Sequence, residues 1–389
     1  MTVPLNIFLE SKPLYYKEID YERVYVAYAI LKPYIKQART VHIVGTNGKG
    51  STGRILAHLA QKSGLFVAHY TSPHILKFNE RIWLDGKDAS DEILEFSHQR
   101  LFRILGQEMS DALSYFEYTT LLAFVVFENC DLMVLEAGLG GEFDATNVCD
   151  KELSVVTAIG IDHQAFLGNT IEEIARTKIL SIQKKVLLAP QVYDEVIEIA
   201  RKISIQKGAD IFVNEKSGIA NEELRVIANQ KAWANYLMEN AMVAMQALDI
   251  LSINYDINNL KSLELFGRFY SLTDNIRIDV GHNPLAAKVI EKALNKKVVL
   301  VYNSLDDKDY EQVLRILKPK IKRVEIIAIN SQRASTLKEI EKALKMLGLE
   351  YSYFQNEIKD DENYLVFGSF YAVEEFLKQR GDTNLFLSP

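Results

Sequence analysis

Short apolar runs rich in β-branched residues recur along the chain and alternate with stretches of helical periodicity. In the first two thirds of the chain the runs are Thr40–Val44, Leu65–Tyr70, Leu132–Leu135, Leu153–Ile159 and Lys185–Leu188. Such alternation is typical of crossover units, because parallel strands need a long connection that is usually a helix. The pattern therefore predicts an α/β domain with a mostly parallel sheet and helices on both faces.

The same rhythm restarts after a helix-like stretch at Lys231–Ile250. The later strand-like runs are Asn275–Val280, Lys297–Tyr302, Val324–Ile329 and Tyr364–Phe367. We interpret them as a second, smaller Rossmann-like α/β domain. The predicted domains are residues 1–265 and residues 266–389.

Composition narrows the class of protein. The 389 residues carry a formal net charge of -7, whereas a dedicated nucleic-acid binder usually presents a basic face, so we expect no nucleic-acid partner. The longest tight apolar run, Leu121–Phe127, is too short to cross a membrane. Cys130 and Cys149 give neither a disulfide framework nor a metal-ligand spacing. We expect a cytoplasmic monomer without a membrane partner.

A glycine-rich turn, "VHIVGTNGKGST" at 41–52, joins the first predicted strand to a helix. Backbone N–H groups and the positive end of the helix dipole converge at such a turn and stabilise an anion. Lys49 would add a mobile charge, and the hydroxyl of Ser51 suits Mg²⁺. The residues predicted to surround the phosphates of a nucleotide are Gly45, Thr46, Asn47, Gly48, Lys49, Gly50, Ser51 and Thr52.

This turn departs from the strict pattern G-x-x-x-x-G-K-[ST]. Ile43 stands where the first glycine would be, and Gly50 separates Lys49 from Ser51. A strand–helix turn that binds nothing is the alternative reading of the loop alone.

Other polar residues follow predicted strands. Glu136 ends one apolar run and His163 follows another, and ligands of open α/β sheets gather at the carboxyl ends of strands. Taken alone, His163 is more often a hydrogen-bonded core or loop histidine than a metal ligand. Arg268, at the predicted domain join, suits phosphate oxygens but could equally be a surface arginine. Asp279 and His282 lie in a turn that could be purely structural.

Motifs in a fixed order connect these features. They are "GTNGKGST", "TSPHILKFNERI", "YFEYTT", "EAGLGGEFDATN", "IDHQAFLGNTIEEIARTK", "FGRF", "DVGHNP" and "DDKD". Together they span almost the whole chain and resemble the bacterial folylpolyglutamate synthase/dihydrofolate synthase family, a relative of the Mur ligases. The resemblance implies a Mur ligase-like fold and an ATP-dependent ligase that joins L-glutamate to dihydropteroate, to reduced folates, or to both.

The resemblance also implies roles for particular residues. The metal set, for Mg²⁺, would be Ser51, Ser72, Glu136, His163 and a carbamylated Lys178. The nucleotide would lie between the domains, with the adenine read by Asn240, the ribose by Asp279 and the phosphates by Lys49, Arg268 and His282. The pterin substrate would contact Pro73, His74, Arg81, Phe116, Asp144 and Ala145. Lys49, His163, Lys178, Arg268 and His282 would be the catalytic residues.

The chain departs from the family pattern in four places. "KILS" replaces the usual "KAGI" after Lys178, and Phe266 replaces a proline before Arg268. Glu142 stands where arginine is common, and Tyr371 stands where histidine is frequent. The last two changes bear on substrate preference rather than on the ATP chemistry.

The expected reaction begins when ATP converts the carboxylate to an acyl phosphate, which the α-amino group of glutamate then attacks. Lys308 and Ser369 are candidate contacts for the carboxylates of glutamate. One rival is a Mur-type ligase acting on a cell-wall nucleotide, although we expect no room for its extra N-terminal domain because the glycine loop starts at Gly45. The other rival is a P-loop ATPase switch without ligase activity.

Overall fold

The structure, a computed structural model, describes residues 3–13, 20, 22–214 and 222–382. Contacts divide the chain into two units. The first comprises Met1–Gly160, Leu167–Gly218 and Asn240–Leu260, and the second comprises Ile161–Phe166, Ile219–Glu239 and Lys261–Pro389. Both units are mixed α/β with mostly parallel sheets, so the predicted fold class is confirmed. A domain join at 265/266 stays a prediction.

The α-helices of the described residues are α1 (Leu5–Glu10), α2 (Arg23–Leu31), α3 (Lys49–Lys62), α4 (Asp91–Ala112), α5 (Tyr115–Val126), α6 (Gln164–Leu167), α7 (Ile171–Ile179), α8 (Asp194–Lys207), α9 (Glu222–Gln230), α10 (Asn235–Ile250), α11 (Pro284–Ala293), α12 (Tyr310–Leu317), α13 (Leu337–Leu347) and α14 (Phe370–Arg380). Short 3₁₀ helices span Lys32–Tyr34, Phe78–Arg81, Ala145–Val148, Ile257–Ser262 and Lys318–Lys320. None of the helices in these ranges is long and apolar enough to cross a membrane.

The strands of the first unit are β1 (Arg39–Val44), β2 (Val67–Tyr70), β3 (Ile82–Leu84), β4 (Lys87–Asp88), β5 (Leu132–Glu136), β6 (Leu153–Val156), β7 (Lys185–Leu188) and β8 (Asp210–Val213). They form one sheet in the order β4-β3-β2-β5-β1-β6-β7-β8. Strands β2, β5, β1, β6, β7 and β8 pair in parallel, whereas β3 and β4 add an antiparallel edge. The glycine loop thus leaves the sheet near its centre.

The strands of the second unit are β9 (Tyr270–Ser271), β10 (Ile276–Ile278), β11 (Val298–Tyr302), β12 (Ile321–Ile326), β13 (Tyr351–Tyr353) and β14 (Tyr364–Phe367). Their order is β13-β12-β11-β14-β10-β9, with only the β9–β10 pair antiparallel. A separate apolar core lies under this sheet, where Leu300, Leu365 and Phe367 are fully buried with residues of α11, α12 and α13. Each unit therefore has its own core.

Several predicted elements differ in extent from the observed ones, among them Leu65–Tyr70, Asn275–Val280 and Val324–Ile329, and two further differences have a clear backbone cause. The run Leu153–Ile159 stops pairing after Val156, because the carbonyl of Ala158 turns to accept the N–H groups of Thr46 and Asn47 at 2.9 and 3.1 Å. The helix predicted from Lys231 starts at Asn235, since Ala232 has a φ of 50° and breaks the helical path after α9.

Candidate active site

The glycine loop joins β1 to α3 and is shaped by backbone geometry. Gly48 is the N-cap of α3 with a φ of 87°, and a Cβ built there would lie 2.8 Å from Oδ1 of Asn240. Only glycine accommodates both the positive φ and this close approach. Nζ of Lys49 donates to the carbonyls of Gly45 and Thr46 at 3.2 and 3.3 Å, so the ammonium lies over the loop.

A second lysine reaches the same loop. Lys178, in the last turn of α7, is buried and donates from Nζ to the carbonyl oxygen of Gly45 at 3.0 Å. Lys49 and Lys178 therefore share one acceptor atom, which brings the two side-chain nitrogens close together. Two like charges at that separation repel each other in a poorly solvated site.

Three hydroxyls surround the start of α3. Oγ of Ser51 donates a hydrogen bond to the carbonyl of Gly48 at 3.2 Å and accepts one from Nδ2 of Asn240 at 2.7 Å. Oγ1 of Thr46 accepts the N–H of Gly160 at 3.0 Å. Thr52 is fully buried, and its Oγ1 has no hydrogen-bond partner within the described part of the chain. Asn240 thus reaches the loop from α10 through Ser51.

Glu136 lies at the carboxyl end of β5, where the register places it opposite Ile43 of β1. The carboxylate is buried and accepts a hydrogen bond from the hydroxyl of Thr71, the residue before Ser72. Strand geometry therefore brings Glu136 and the segment after β2 to the edge of the sheet that carries the glycine loop, as expected for carboxyl ends of parallel strands. Thr71 was missing from the predicted site, because an isolated threonine after a strand carries no sequence signal.

The segment after β2 carries the predicted pterin contacts. The Ser72–Pro73 peptide bond is cis, and Pro73 is exposed. Nδ1 of His74 accepts a hydrogen bond from Nε of Arg81 at 2.8 Å. Burial, aided by the charge of Arg81, lowers the pKa of His74 to about 4, so the ring is a neutral acceptor near pH 7. The guanidinium of Arg81 lies 5.3 Å from the ring centre of Tyr115.

The other predicted pterin contacts have clear structural partners. Phe116 packs 5.9 Å from the ring of Tyr70. Asp144 is buried, and its carboxylate accepts the N–H of Leu139 at 2.8 Å and both the N–H and the hydroxyl of Thr146 at 3.0 and 2.5 Å. Burial raises the pKa of Asp144, which these hydrogen bonds partly offset. Ala145 is buried beside it.

In the second unit, His163 lies in a turn before α6 and has a φ of 53°, an uncommon conformation for a residue with a side chain. Asp162 organises this turn: Oδ1 accepts the N–H of His163 at 2.8 Å and Nζ of Lys308 at 2.7 Å. Oδ2 accepts Nδ2 of Asn283 at 3.1 Å and lies 3.5 Å from Nε2 of His282.

These contacts set the charge of Asp162. Burial alone would raise the pKa of Asp162, but the hydrogen bond from His282 and the positive charges around the carboxylate hold it below its usual value. Nζ of Lys308 also lies 3.4 Å from Nε2 of His163. Asp162 was not singled out from the sequence, since the side chains that contact it, Asn283 and Lys308, are more than a hundred residues away along the chain.

The remaining predicted residues of the second unit lie in the loops and turns next to its strands and helices. The guanidinium of Arg268 stacks 5.3 Å from the ring of Phe370 and donates to the carbonyl of Gly267 at 3.2 Å. Asp279 follows β10 and is buried, with its carboxylate directed at backbone N–H groups and at Tyr236. Ser369 is the N-cap of α14 and accepts the N–H of Ala372 at 3.0 Å.

The predicted metal set contains few residues of the usual metal-ligating types. Across the ranges that the structure describes, no group of three or more His, Cys, Asp or Glu side chains could hold a metal ion. Glu136 and His163 are the only members of those four types in the predicted set, which otherwise consists of hydroxyls and Lys178.

A parallel sheet with a lysine-bearing glycine loop, joined in one chain to a second parallel-sheet unit, defines the class: an ATP-dependent ligase of the kind that joins an amino acid to a carboxylate. A dihydrofolate synthase/folylpolyglutamate synthase from Haemophilus influenzae is 30% identical over 389 residues, covering 86% of this chain and 87% of the relative. The chain belongs to the dihydrofolate synthase/folylpolyglutamate synthase family. None of the protein-family models compared with the sequence matches it.

Solved structures agree with this assignment. The crystal structure of Helicobacter pylori folylpolyglutamate synthetase is 40% identical, covers 97% of this chain and 98% of its own, and has a TM-score of 0.78. Escherichia coli FolC in complex with DHPP and ADP is 27% identical, covers 98% of each chain and has a TM-score of 0.83. The prediction of an ATP-dependent glutamate ligase is confirmed, and neither rival reading is favoured.

Proposed function

We propose that this ligase adds L-glutamate to a carboxylic acid that carries a pterin ring, with dihydropteroate and a reduced folate as the two candidate acceptors. The observation that carries the proposal is the match, over most of the chain, to relatives whose names include both synthase activities. The glycine loop supports it, because Lys49 and the start of α3 fit the kind of phosphate-binding arrangement that carboxylate activation requires.

The reaction has two steps. An oxygen of the acceptor carboxylate attacks the γ-phosphorus of ATP, the bond from that phosphorus to the bridging oxygen breaks, and ADP leaves. The α-amino group of glutamate then attacks the acyl carbon, and inorganic phosphate leaves with the bonding pair while the amine loses a proton. Lys49 and the loop N–H groups would hold the charge that develops on the phosphates. We assign the turn from Asp279 to His282, and Arg268, to the nucleotide.

The first unit gathers residues that fit Mg²⁺. The hydroxyl of Ser51 and the carboxylate of Glu136 are hard oxygen ligands, and Ser72 directly follows the threonine bonded to Glu136. The ion would neutralise phosphate charge during transfer. We assign Ser51, Ser72 and Glu136 to it, and His163 stays a prediction from the sequence.

Carbamylation of Lys178 fits the crowding of two lysines at the carbonyl of Gly45. A neutral Nζ would form a bond to the carbon of CO₂ and release a proton, which changes the cation into an anion next to Lys49. The resulting carbamate oxygens would suit a second Mg²⁺. Activity of protein stripped of bicarbonate should fall and recover when bicarbonate is added back.

The acceptor and glutamate sites follow from the remaining residues. A pterin ring needs apolar walls and a few polar contacts, which Pro73, Phe116 and the His74–Arg81 pair can supply. Asp144 and Ala145 would shape the adjoining loop. We assign Lys308 and Ser369 to the carboxylates of glutamate.

The test is incorporation of radiolabelled glutamate with dihydropteroate and tetrahydrofolate supplied separately, with ATP and Mg²⁺. Labelled product with either acceptor, and ADP formed only when both acceptor and glutamate are present, supports the proposal. ATP hydrolysis that is indifferent to both would contradict it.

A further inference from the structure

Asp279 is embedded in the second unit, at the carboxyl end of β10. Oδ1 accepts the N–H of Gly281 at 2.7 Å, and Oδ2 accepts the N–H of Phe269 at 2.8 Å. A Cβ built on Gly281 would lie 2.9 Å from Oδ1, so the turn passes directly against the carboxylate. Asp279 therefore joins the segment at Arg268–Phe269 to the turn that carries His282.

A third donor completes this set. The hydroxyl of Tyr236, in the first turn of α10, donates to Oδ2 of Asp279 at 2.8 Å. Burial is the largest cause that raises the pKa of Tyr236 well above its ordinary value, and the neighbouring carboxylate raises it further. The phenol consequently stays protonated at neutral pH and keeps its hydrogen for Asp279.

The backbone around Asp279 is held in an uncommon conformation. Gly267 has a φ of 70° and Phe269 a φ of 47°, and the latter costs energy for a residue with a side chain. Such a conformation persists only where surrounding contacts fix it. Oδ2 of Asp279 accepts the hydrogen bond from the N–H of Phe269. The hydroxyl of Tyr236 donates to the same oxygen and holds it in place.

We propose that Tyr236 is a positioning residue for nucleotide binding, which acts through Asp279 to fix Arg268 and the turn before His282. The inference rests on the proposed function, in which Arg268 and His282 contact the nucleotide. Tyr236 itself need not touch the nucleotide. Its role predicts a selective effect on ATP rather than a general loss of activity.

The decisive variant is Tyr236→Phe, which removes only the hydroxyl. We expect the Kd for ADP with Mg²⁺ and the KM for ATP each to rise about tenfold, as loss of one hydrogen bond to a carboxylate would give. The KM values for glutamate and the pterin acid should stay within about twofold, since the hydroxyl of Tyr236 bonds to Asp279 and not, within the described residues, to those assigned to glutamate or the pterin. Binding of ADP is measured by calorimetry, so this readout does not depend on turnover.

Tyr364→Phe is the matched control. Tyr364 is another tyrosine of the second unit whose hydroxyl is hydrogen-bonded, but it lies at the start of β14 and its hydroxyl contacts Lys359 and Glu362. We expect Tyr364→Phe to leave ADP binding unchanged. In the Asp279→Asn background, Tyr236→Phe should add no further loss of ADP affinity, because its effect passes through Asp279.

Unchanged ADP binding by Tyr236→Phe would overturn the proposal, and so would an equal rise in all three KM values. A variant that does not fold would also overturn it, since a positioning role predicts a folded protein with weaker nucleotide binding. Absence of ligase activity in the wild-type protein would instead contradict the proposed function, and the calorimetric comparison would still decide the role of Tyr236.

Discussion

Buried aspartates hold the loops of the candidate site. Asp144, Asp162 and Asp279 each accept several hydrogen bonds, some from backbone N–H groups and others from side chains such as Lys308 and Tyr236. A carboxylate buried in this way is costly unless its oxygens are satisfied, so each aspartate dictates the path of the backbone around it. The loops that would meet ligands are thus shaped before any ligand binds.

Lys49→Ala tests the glycine loop at this scale. Nζ of Lys49 contacts only two loop carbonyls among its hydrogen-bond partners in the described residues, and the side chain is partly exposed, so we expect little change in thermal stability. Ligase turnover should fall by about two to three orders of magnitude, because the phosphates lose a fixed charge. Glutamate incorporation and a melting curve measure the two effects. Lys62→Ala, at the exposed end of the same helix, is the control, and near-normal turnover of the Lys49 variant would refute the role.

Lys151 offers a prediction on pH. Its Nζ is buried and donates to the carbonyl of Ser181 at 3.0 Å and to Asn147, and burial lowers the pKa of Lys151 to about 8. The unfolded chain holds that proton up to about pH 10.5, so it binds more protons than the folded chain between these values. The free energy of unfolding should therefore rise with pH across this window, by at most about 3 kcal/mol.

The measurement is the urea midpoint of the wild type and of Lys151→Met at pH 7.5 and pH 9.5. The wild type should gain stability relative to the variant at the higher pH. Lys184→Met, which changes an exposed lysine nearby and keeps Lys151, should gain stability with pH to the same extent as the wild type. An equal response of Lys151→Met and the wild type would contradict the assigned shift.

The sequence predicted individual site residues only where they belong to a recognisable local motif. Lys49, Glu136 and Ser51 were predicted because a glycine loop and strand ends have local signatures, and the structure places them around one sheet edge. Tyr236 and Asp162 act through partners far along the chain. No local pattern marks such a residue, since its contact exists only after folding.

At the scale of elements, the central strands were predictable and the edge strands were not. β1, β5 and β14 are buried nearly throughout, so each appears in the sequence as a continuous apolar run. β4 has two exposed residues and β13 is mostly exposed, so neither leaves an apolar run. Edge strands carry polar residues because one side faces solvent. The order of the strands in each sheet could not be predicted from the sequence either, since it depends on pairing between strands that are distant along the chain.

The position of Glu136 at the carboxyl end of β5 leads to a testable prediction about Mg²⁺. Glu136→Gln keeps the size of the side chain but removes the charge proposed to face Mg²⁺. We expect the Mg²⁺ concentration for half-maximal activity to rise about tenfold or more, with ADP binding less affected. Glu152→Gln, before the first residue of β6 at the opposite end of the strands, is the control. An unaltered Mg²⁺ titration of Glu136→Gln would exclude Glu136 as a ligand.

At the scale of the whole molecule, the two units are not consecutive stretches of sequence. Ile161–Phe166 and Ile219–Glu239 belong to the second unit although they lie between segments of the first. The contacts of Asp162 with Asn283 and Lys308 explain the first of these assignments. Periodicity along the sequence finds where a strand–helix rhythm restarts, and it cannot find a short segment that packs with a later unit.

A fragment of residues 1–265 tests the need for both units. It retains all eight strands of the first sheet and the two cores around them, so we expect it to fold. It lacks Arg268, His282 and Lys308, which we assign to nucleotide and glutamate, so we expect no glutamate-dependent phosphate release at saturating ATP and Mg²⁺. Circular dichroism checks the fold of the fragment. Because the truncation removes Asn283, Lys308 and His282, the side chains that contact the Asp162 carboxylate from the second unit, the fragment should also melt below the full-length protein. Ligation by the folded fragment at the full-length rate would show that the second unit has another purpose.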